Sequence, residues 1–293
     1  MRTPDPWTLL DEHPFGRAGV VRHLQLHNGL ELLLLKDNSA PVAAYHTWFG
    51  VGSRHETEGS TGIAHLFEHL MFKGTRDVPG TEFDRCLEEA GVSTNAATWM
   101  DWTCYTQDLP GSQLDLVARL EADRMANLVL TREQIEPERE VVRNERLLRV
   151  DNDPDGILYE RLYSILFPGH PYGHPTIGWM RDIEGITLEQ CIDFYRRYYA
   201  PDNATVVIVG DVDPVQTLEI LARRYGALQS QGRPPAEGVP PAPLLGEARE
   251  EMVQDITNEK IVLAWHMPRA ASMDIAATRA LSDLLFGSDS ARV

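Results

Sequence analysis

Cysteine is scarce in this 293-residue chain. Three are present, Cys86, Cys104 and Cys191, an odd number without the spacing of thiolate metal sites. That favours free thiols and a reducing compartment. Long apolar runs are missing too: none approaches the ~20 residues of a membrane span. Met1 to Arg17 has no apolar signal core, which points to the cytoplasm, although a leader removed earlier would leave no trace. Positive charge is in deficit, with 27 Lys and Arg against 44 Asp and Glu for a net charge of −17. This balance argues against nucleic acid and anionic membrane as partners and is compatible with basic peptides.

What is present reads as a globular protein of about two domains, 43% hydrophobic and 24% charged. His23 to His27, Asn28-Gly29 and Leu30 to Lys36 predict a hairpin. Val42 to Val51, Val92 to Thr98, Thr103 to Asp108 and Thr205 to Val209 predict further strands. Helical periods begin near Thr81 and run over Ser112 to Leu128, Thr131 to Val150 (Pro137 opening its main part), Gly156 to Phe167, Leu188 to Tyr199 and Pro214 to Tyr225. Gln229 to Gly246 is rich in Pro, Gly and Gln and reads as a linker. Beyond it, Glu251 to Asp255 and Ile261 to Trp265 read as strands and Ala276 to Phe286 as a helix. Strands, then helices, then strands predict an α+β fold rather than a doubly wound sheet. The expected layout is a first domain over 1–228, a linker over 229–246 and the start of a second domain over 247–293. A shift of 214 residues lays Leu284-Leu285-Phe286 on Leu70-Met71-Phe72, a faint internal repeat whose second copy lacks the polar residues of the first.

Those polar residues lie between Thr61 and Thr75. The segment reads as one helix with Ser60 or Thr61 as N-cap and Gly74 past its end. Ile63, Leu66, Phe67, Leu70 and Met71 form its apolar face, while His65, Glu68 and His69 form a second stripe. Burying two imidazoles and a carboxylate is costly unless something pairs with them. A cation removes the difficulty, because His65 and His69, one turn apart, can converge on one ion with Glu68 beside it. His-x-x-Glu-His is the inverted zincin motif. A pair of core histidines hydrogen-bonded to Glu68 is the alternative that this helix alone leaves open.

A catalytic zinc site has three protein ligands and an open position. In Glu138 to Leu148, the face holding Val141, Val142 and Leu148 also holds Glu138 and Glu145, an anomaly for acidic residues. Ion pairs with Arg139, Arg143, Arg146 and Arg149 would also account for them.

Together the two segments resemble the pitrilysin/insulysin family of zinc metallopeptidases, which includes the mitochondrial processing peptidases. The resemblance implies a processing-peptidase-like domain with a mixed, mostly antiparallel sheet covered by helices. It makes Glu145, 76 residues past His69, the third ligand of one Zn2+ per chain. Glu138 becomes a second acidic residue supporting the site, grouped with Glu68 as catalytic. Asn95, Ala96, Ala97 and Thr98, followed by Asp101, Thr103 and Tyr105, are similar to the family's substrate-binding edge strand; an ordinary strand with a polar bend is the alternative. The loop His170-Pro171-Tyr172-Gly173-His174-Pro175 also matches, and its histidines are expected to be turn and packing residues rather than a second metal site. The function implied is that of a zinc endopeptidase acting on peptides or unfolded segments with Glu68 as general base. A homologous partner subunit or a further C-terminal half would complete it. A non-catalytic assembly subunit and a closed structural zinc site are the competing readings.

Overall fold

A computed structural model of the chain describes residues 6–17, 19–234, 238 and 240–287. Seven strands, β1 (Trp7–Phe15), β2 (Gly19–Leu26), β3 (Glu31–Lys36), β4 (Val42–Phe49), β5 (Ser93–Thr98), β6 (Thr103–Pro110) and β7 (Ala204–Gly210), form one sheet. Their order is β1-β2-β3-β7-β4-β6-β5, and only the β3–β7 pair is parallel. The helices are α1 (Ile63–Leu70), α2 (Gly80–Glu89), α3 (Leu114–Asn127), α4 (Arg132–Arg146), α5 (Pro154–Leu166), α6 (Met180–Gly185), α7 (Leu188–Tyr198), α8 (Pro214–Tyr225) and α9 (Asp274–Phe286).

Alternation decides which face of the sheet is covered. Along β4, Ala43, Tyr45, Thr47 and Phe49 are buried, whereas Val42, Ala44, His46 and Trp48 face outward. The buried set meets Phe67 and Leu70 of α1, Val117 and Leu120 of α3, and Leu221 and Tyr225 of α8 in one core. Fully burying a side chain of this size contributes roughly 1.5–3 kcal/mol. The hairpin forms, but through a three-residue loop, His27 to Gly29, instead of the two-residue Asn28-Gly29 turn expected: the Leu26 amide donates to the Leu30 carbonyl across it and Gly29 takes φ 89°, and Asn28 Nδ2 donates to the carbonyls of Tyr225 and Leu228 beyond it. β7 arrives from far along the chain and lies in the middle of the sheet, between β3 and β4, so residues 204–210 are part of the first fold unit.

Three expectations need correction. No strand forms over Glu251 to Asp255 or Ile261 to Trp265. Val253, Ile261, Leu263 and Trp265 are exposed, and among the described residues no neighbouring strand offers the backbone partners that an alternating segment requires. Pro137 does not open a helix; it sits inside α4, which starts at Arg132. Pro137 and Glu133 are both exposed, so water can serve the carbonyl that loses its intrahelical bond. Leu148 and Val141 are exposed rather than apolar-face residues: Val141 lies off the side of α4 that Ile135, Glu138, Val142 and Arg146 bury, and Leu148 lies in a π-helical turn over Leu147–Asp151 that rotates the chain away from that face. The helix expected over Ala276 to Phe286 is α9, and the 214-residue shift lays the whole of α1 inside it. Residues 1–5, 18, 235–237, 239 and 288–293 of the expected domains and linker lie outside the described residues.

Candidate metal centre

Helix α1 is buried along Ile63, Ala64, Leu66, Phe67 and Leu70, and packs against α4, α7 and β5. Tyr105 of β6 donates its hydroxyl to the Phe67 carbonyl, tying the helix to the sheet (3.2 Å). Neither Ser60 nor Thr61 caps the helix. The Ser60 hydroxyl donates to the Thr57 carbonyl, and Thr61 Oγ1 donates to Asp182 (2.7 Å) while accepting from the Trp179 amide. Gly62 begins the helix at φ 91°, and the Glu56 carboxylate takes its first amides. The helix ends earlier than expected, at Leu70 with Met71 as C-cap, and Gly74 lies further on at φ 88°, in a β-bridge to Pro79.

His65 and His69 project from α1 towards Glu145 on α4. His65 Nε2 lies 3.6 Å and His69 Nε2 3.5 Å from the same oxygen, Glu145 Oε2. Neither separation is a hydrogen bond, which would bring nitrogen and oxygen to about 2.7–3.2 Å. Ligands about 2.0–2.1 Å from a tetrahedral zinc ion stand roughly 3.3–3.4 Å apart, and the observed edges fit that figure. These three are the one His, Cys, Asp and Glu cluster among the described residues with metal-holding geometry. The donor set, two imidazoles and one carboxylate, suits Zn2+ and leaves a fourth position open.

The electrostatics act in opposite directions on the two rings. Burial, reinforced by the charges of His69 and Arg149, pushes His65 down to about 3, so its ring stays neutral and able to donate its lone pair. Burial also works to lower His69, but Glu138, Glu145 and Glu68 outweigh it and leave the ring raised. Glu138, almost wholly buried, accepts from His69 Nδ1 (3.0 Å) and pairs with Lys73 Nζ (2.5 Å). The contact to Nδ1 holds the ring in the tautomer that leaves Nε2 free for a metal. Burial would raise the Glu138 carboxyl, yet His69 and Lys73 bring it below its usual range. Burial raises Glu68, which lies against Thr98 at the end of β5. Arg149, placed by the π-helical turn, donates Nε to Glu145 Oε1 (3.0 Å).

Asn95, Ala96, Ala97 and Thr98 lie on β5, the strand at one edge of the sheet. Asn95 and Ala97 are exposed, and the Ala96 amide is taken by Asn95 Oδ1 (2.9 Å) rather than by β6. In the Pro168 to Gly178 loop, His170 Nδ1 accepts from the Tyr172 amide and the Tyr172 hydroxyl donates to Asp101. His174 packs beside Pro175 and Glu56. The loop histidines thus serve turns and packing. Glu56 and Lys73 carry no short motif in the sequence, and Arg149 shows there only as an ion-pair partner, through its i,i+4 spacing from Glu145.

A histidine pair on one helix, a carboxylate from a second and a sheet with an open edge define a metallopeptidase scaffold with a zinc-binding set. The chain belongs to peptidase family M16, the insulinase family, whose model matches residues 32–179. The model of the family's inactive domain matches residues 185–293, so a second M16 domain begins within the chain. Zinc protease PqqE of Helicobacter pylori is 34% identical over 268 residues, 89% of this chain and 60% of that protein. An uncharacterized zinc protease of Mycobacterium leprae is 33% identical over 216 residues, 74% of this chain and 48% of that one. The crystal structure of a protease from Helicobacter pylori superposes with a TM-score of 0.70 at 35% identity, covering 75% of this chain and 52% of that one. The first half of the periplasmic protease PqqL from Escherichia coli shares the fold, with a TM-score of 0.72 at 23% identity over 80% of this chain and 51% of that one. The chain therefore spans about half the length of the relatives it matches. No helix among the described residues is long and apolar enough to cross a membrane.

Proposed function

We propose that this chain carries the metal-binding part of a zinc endopeptidase that hydrolyses peptides or unfolded protein segments. The observation that carries the reading is the pair of 3.5 and 3.6 Å separations to one Glu145 oxygen; relatives that are named zinc proteases support it. Zinc held by His65, His69 and Glu145 supplies Lewis acidity and lowers the pKa of water. Glu68 takes the proton of the attacking water and hands it to the leaving amine. A carboxyl raised by burial suits a group that must both accept and release a proton near neutral pH. Glu138 holds His69 in its ligating tautomer. The free edge of β5 pairs with the substrate main chain through Asn95 to Thr98, a mode that demands little of the side chains.

The working layout is a peptidase domain over 1–228, a linker over 229–246 and the start of a non-metal domain over 247–293. A homologous partner subunit or a C-terminal half completes the cleft. Three free thiols favour the cytoplasm; fractionating cells against periplasmic markers tests that assignment. In the competing reading, a non-catalytic assembly subunit, the chain would cleave nothing. Glu68→Gln should keep its zinc and lose cleavage of a mixed peptide library. Hydrolysis unchanged in that variant overturns the assignment, and no hydrolysis by the wild type joined to its C-terminal portion favours the assembly role.

A further inference from the structure

The acid at the start of α1 is not explained by the chemistry above. Glu56 follows a short turn after β4, and its side chain is wholly buried. Its two oxygens divide the first amides of the helix: Oε2 accepts from Gly62 and Oε1 from Ala64, both at 2.9 Å. The second of these amides belongs to the residue just before His65. Among the described residues no hydrogen bond or ion pair joins Glu56 to His65, Glu68, His69 or Glu145. The hydroxyls of Ser60 and Thr61, the ordinary capping groups, are engaged elsewhere.

Around this carboxylate the chain is closely fitted. Gly62 has φ 91°, and a Cβ there would meet the Ile177 carbonyl at 2.5 Å; a Cβ on Gly178, at φ 88°, would meet the Thr61 carbonyl at 2.4 Å. The Gly178 carbonyl in turn accepts from buried Arg146 (2.7 Å), the residue after Glu145. The segment around Gly178 thus touches the beginning of one ligand-bearing helix and the end of the other. Burial pushes the Glu56 carboxyl up to about 8, even against the pull of the two amides, so the fold keeps this acid where water would suit it far better.

We propose that Glu56 is a positioning residue for the metal centre: by bridging the Gly62 and Ala64 amides it fixes the first turn of α1, so that His65 faces Glu145 at ligating distance. His69, a turn further on, is held by Glu138 and needs no such clamp. Loss of the clamp therefore acts on one ligand of three. This inference rests on the zinc reading, and its test keeps the two apart.

Zinc affinity is measured by chelator competition on the full chain for wild type, Glu56→Gln and Glu56→Asp, with amide hydrogen exchange on the metal-free proteins. Glu56→Gln should fold, exchange its Gly62 to His65 amides faster, and bind zinc at least tenfold more weakly. Glu56→Asp, which keeps the carboxyl group but not the reach, should recover part of that affinity. Should Glu56→Gln not fold, the comparison of wild type with Glu56→Asp decides, a loss of several-fold being expected. Zinc affinity within twofold of wild type in the folded variants overturns the proposal. A wild-type chain that binds no zinc overturns the metal reading itself, and the inference with it.

Discussion

Replacing Glu138 with Gln is the sharpest perturbation of the centre, because it removes a charge while conserving shape. At 3.0 Å from His69 Nδ1, the gross attraction of the carboxylate for a charged ring is about 5 kcal/mol at an effective dielectric constant of 20. Desolvation of the buried pair offsets much of this. The tautomer argument is firmer. Glutamine presents one oxygen and one NH2, whereas the site asks for two acceptors, one for His69 Nδ1–H and one for Lys73. If the oxygen faces His69, the NH2 opposes the Lys73 ammonium. Flipped, the NH2 faces Nδ1 and drives the ring proton to Nε2, the atom that must hold the metal. Either arrangement weakens zinc binding, by 10- to 100-fold on the usual scale for such partners, or about 1.4–2.7 kcal/mol. Chelator competition on folded Glu138→Gln measures it directly. An affinity within twofold of wild type refutes the role given to Glu138.

Other outcomes follow from individual contacts. Gly178→Ala places a Cβ 2.4 Å from the Thr61 carbonyl at φ 88° and should cost roughly 1–3 kcal/mol in a urea melt; unchanged stability means that the close approach is relieved at no cost. Asp115 is held down to about 2 by Arg224 and Arg223. The stability this adds is fully present above the unfolded value near 4 and is lost as pH falls towards 2. Since the carboxylate is 43% exposed, Asp115→Asn should lower stability at pH 7 by less than about 1 kcal/mol and flatten the acid limb of the melting curve. Ala96→Pro removes an amide that β6 does not use and so spares the ladder. It should raise KM for peptides without changing zinc affinity; an unchanged KM argues against substrate pairing along β5.

Periodic and local signals were legible in the sequence, and signals made by tertiary partners were not. Asn28-Gly29 marked the place of its turn but not its length, and His65 and His69 declared a shared face through their spacing. Glu145 was visible as an acid on an apolar face, but its choice over Glu138 came from resemblance alone. Their contacts differ: Glu145 lies near both Nε2 atoms, while Glu138 reaches only Nδ1 of His69. The cap of α1 was misplaced because Thr61 has a distant partner, Asp182, that sequence cannot foresee. β1 escaped notice because it is exposed along nearly its whole length. The π-helical turn that carries Arg149 has no compositional mark. Alternation alone was misleading beyond Gly246, where Ile261 and Leu263 find no sheet to join among the described residues.

Zinc K-edge absorption of the stoichiometrically loaded chain asks most directly whether His65, His69 and Glu145 hold the ion. One zinc per chain is expected, with scattering from two imidazoles and light-atom ligands at about 2.0–2.2 Å. A protein that retains no zinc, or a first shell without imidazole, contradicts it.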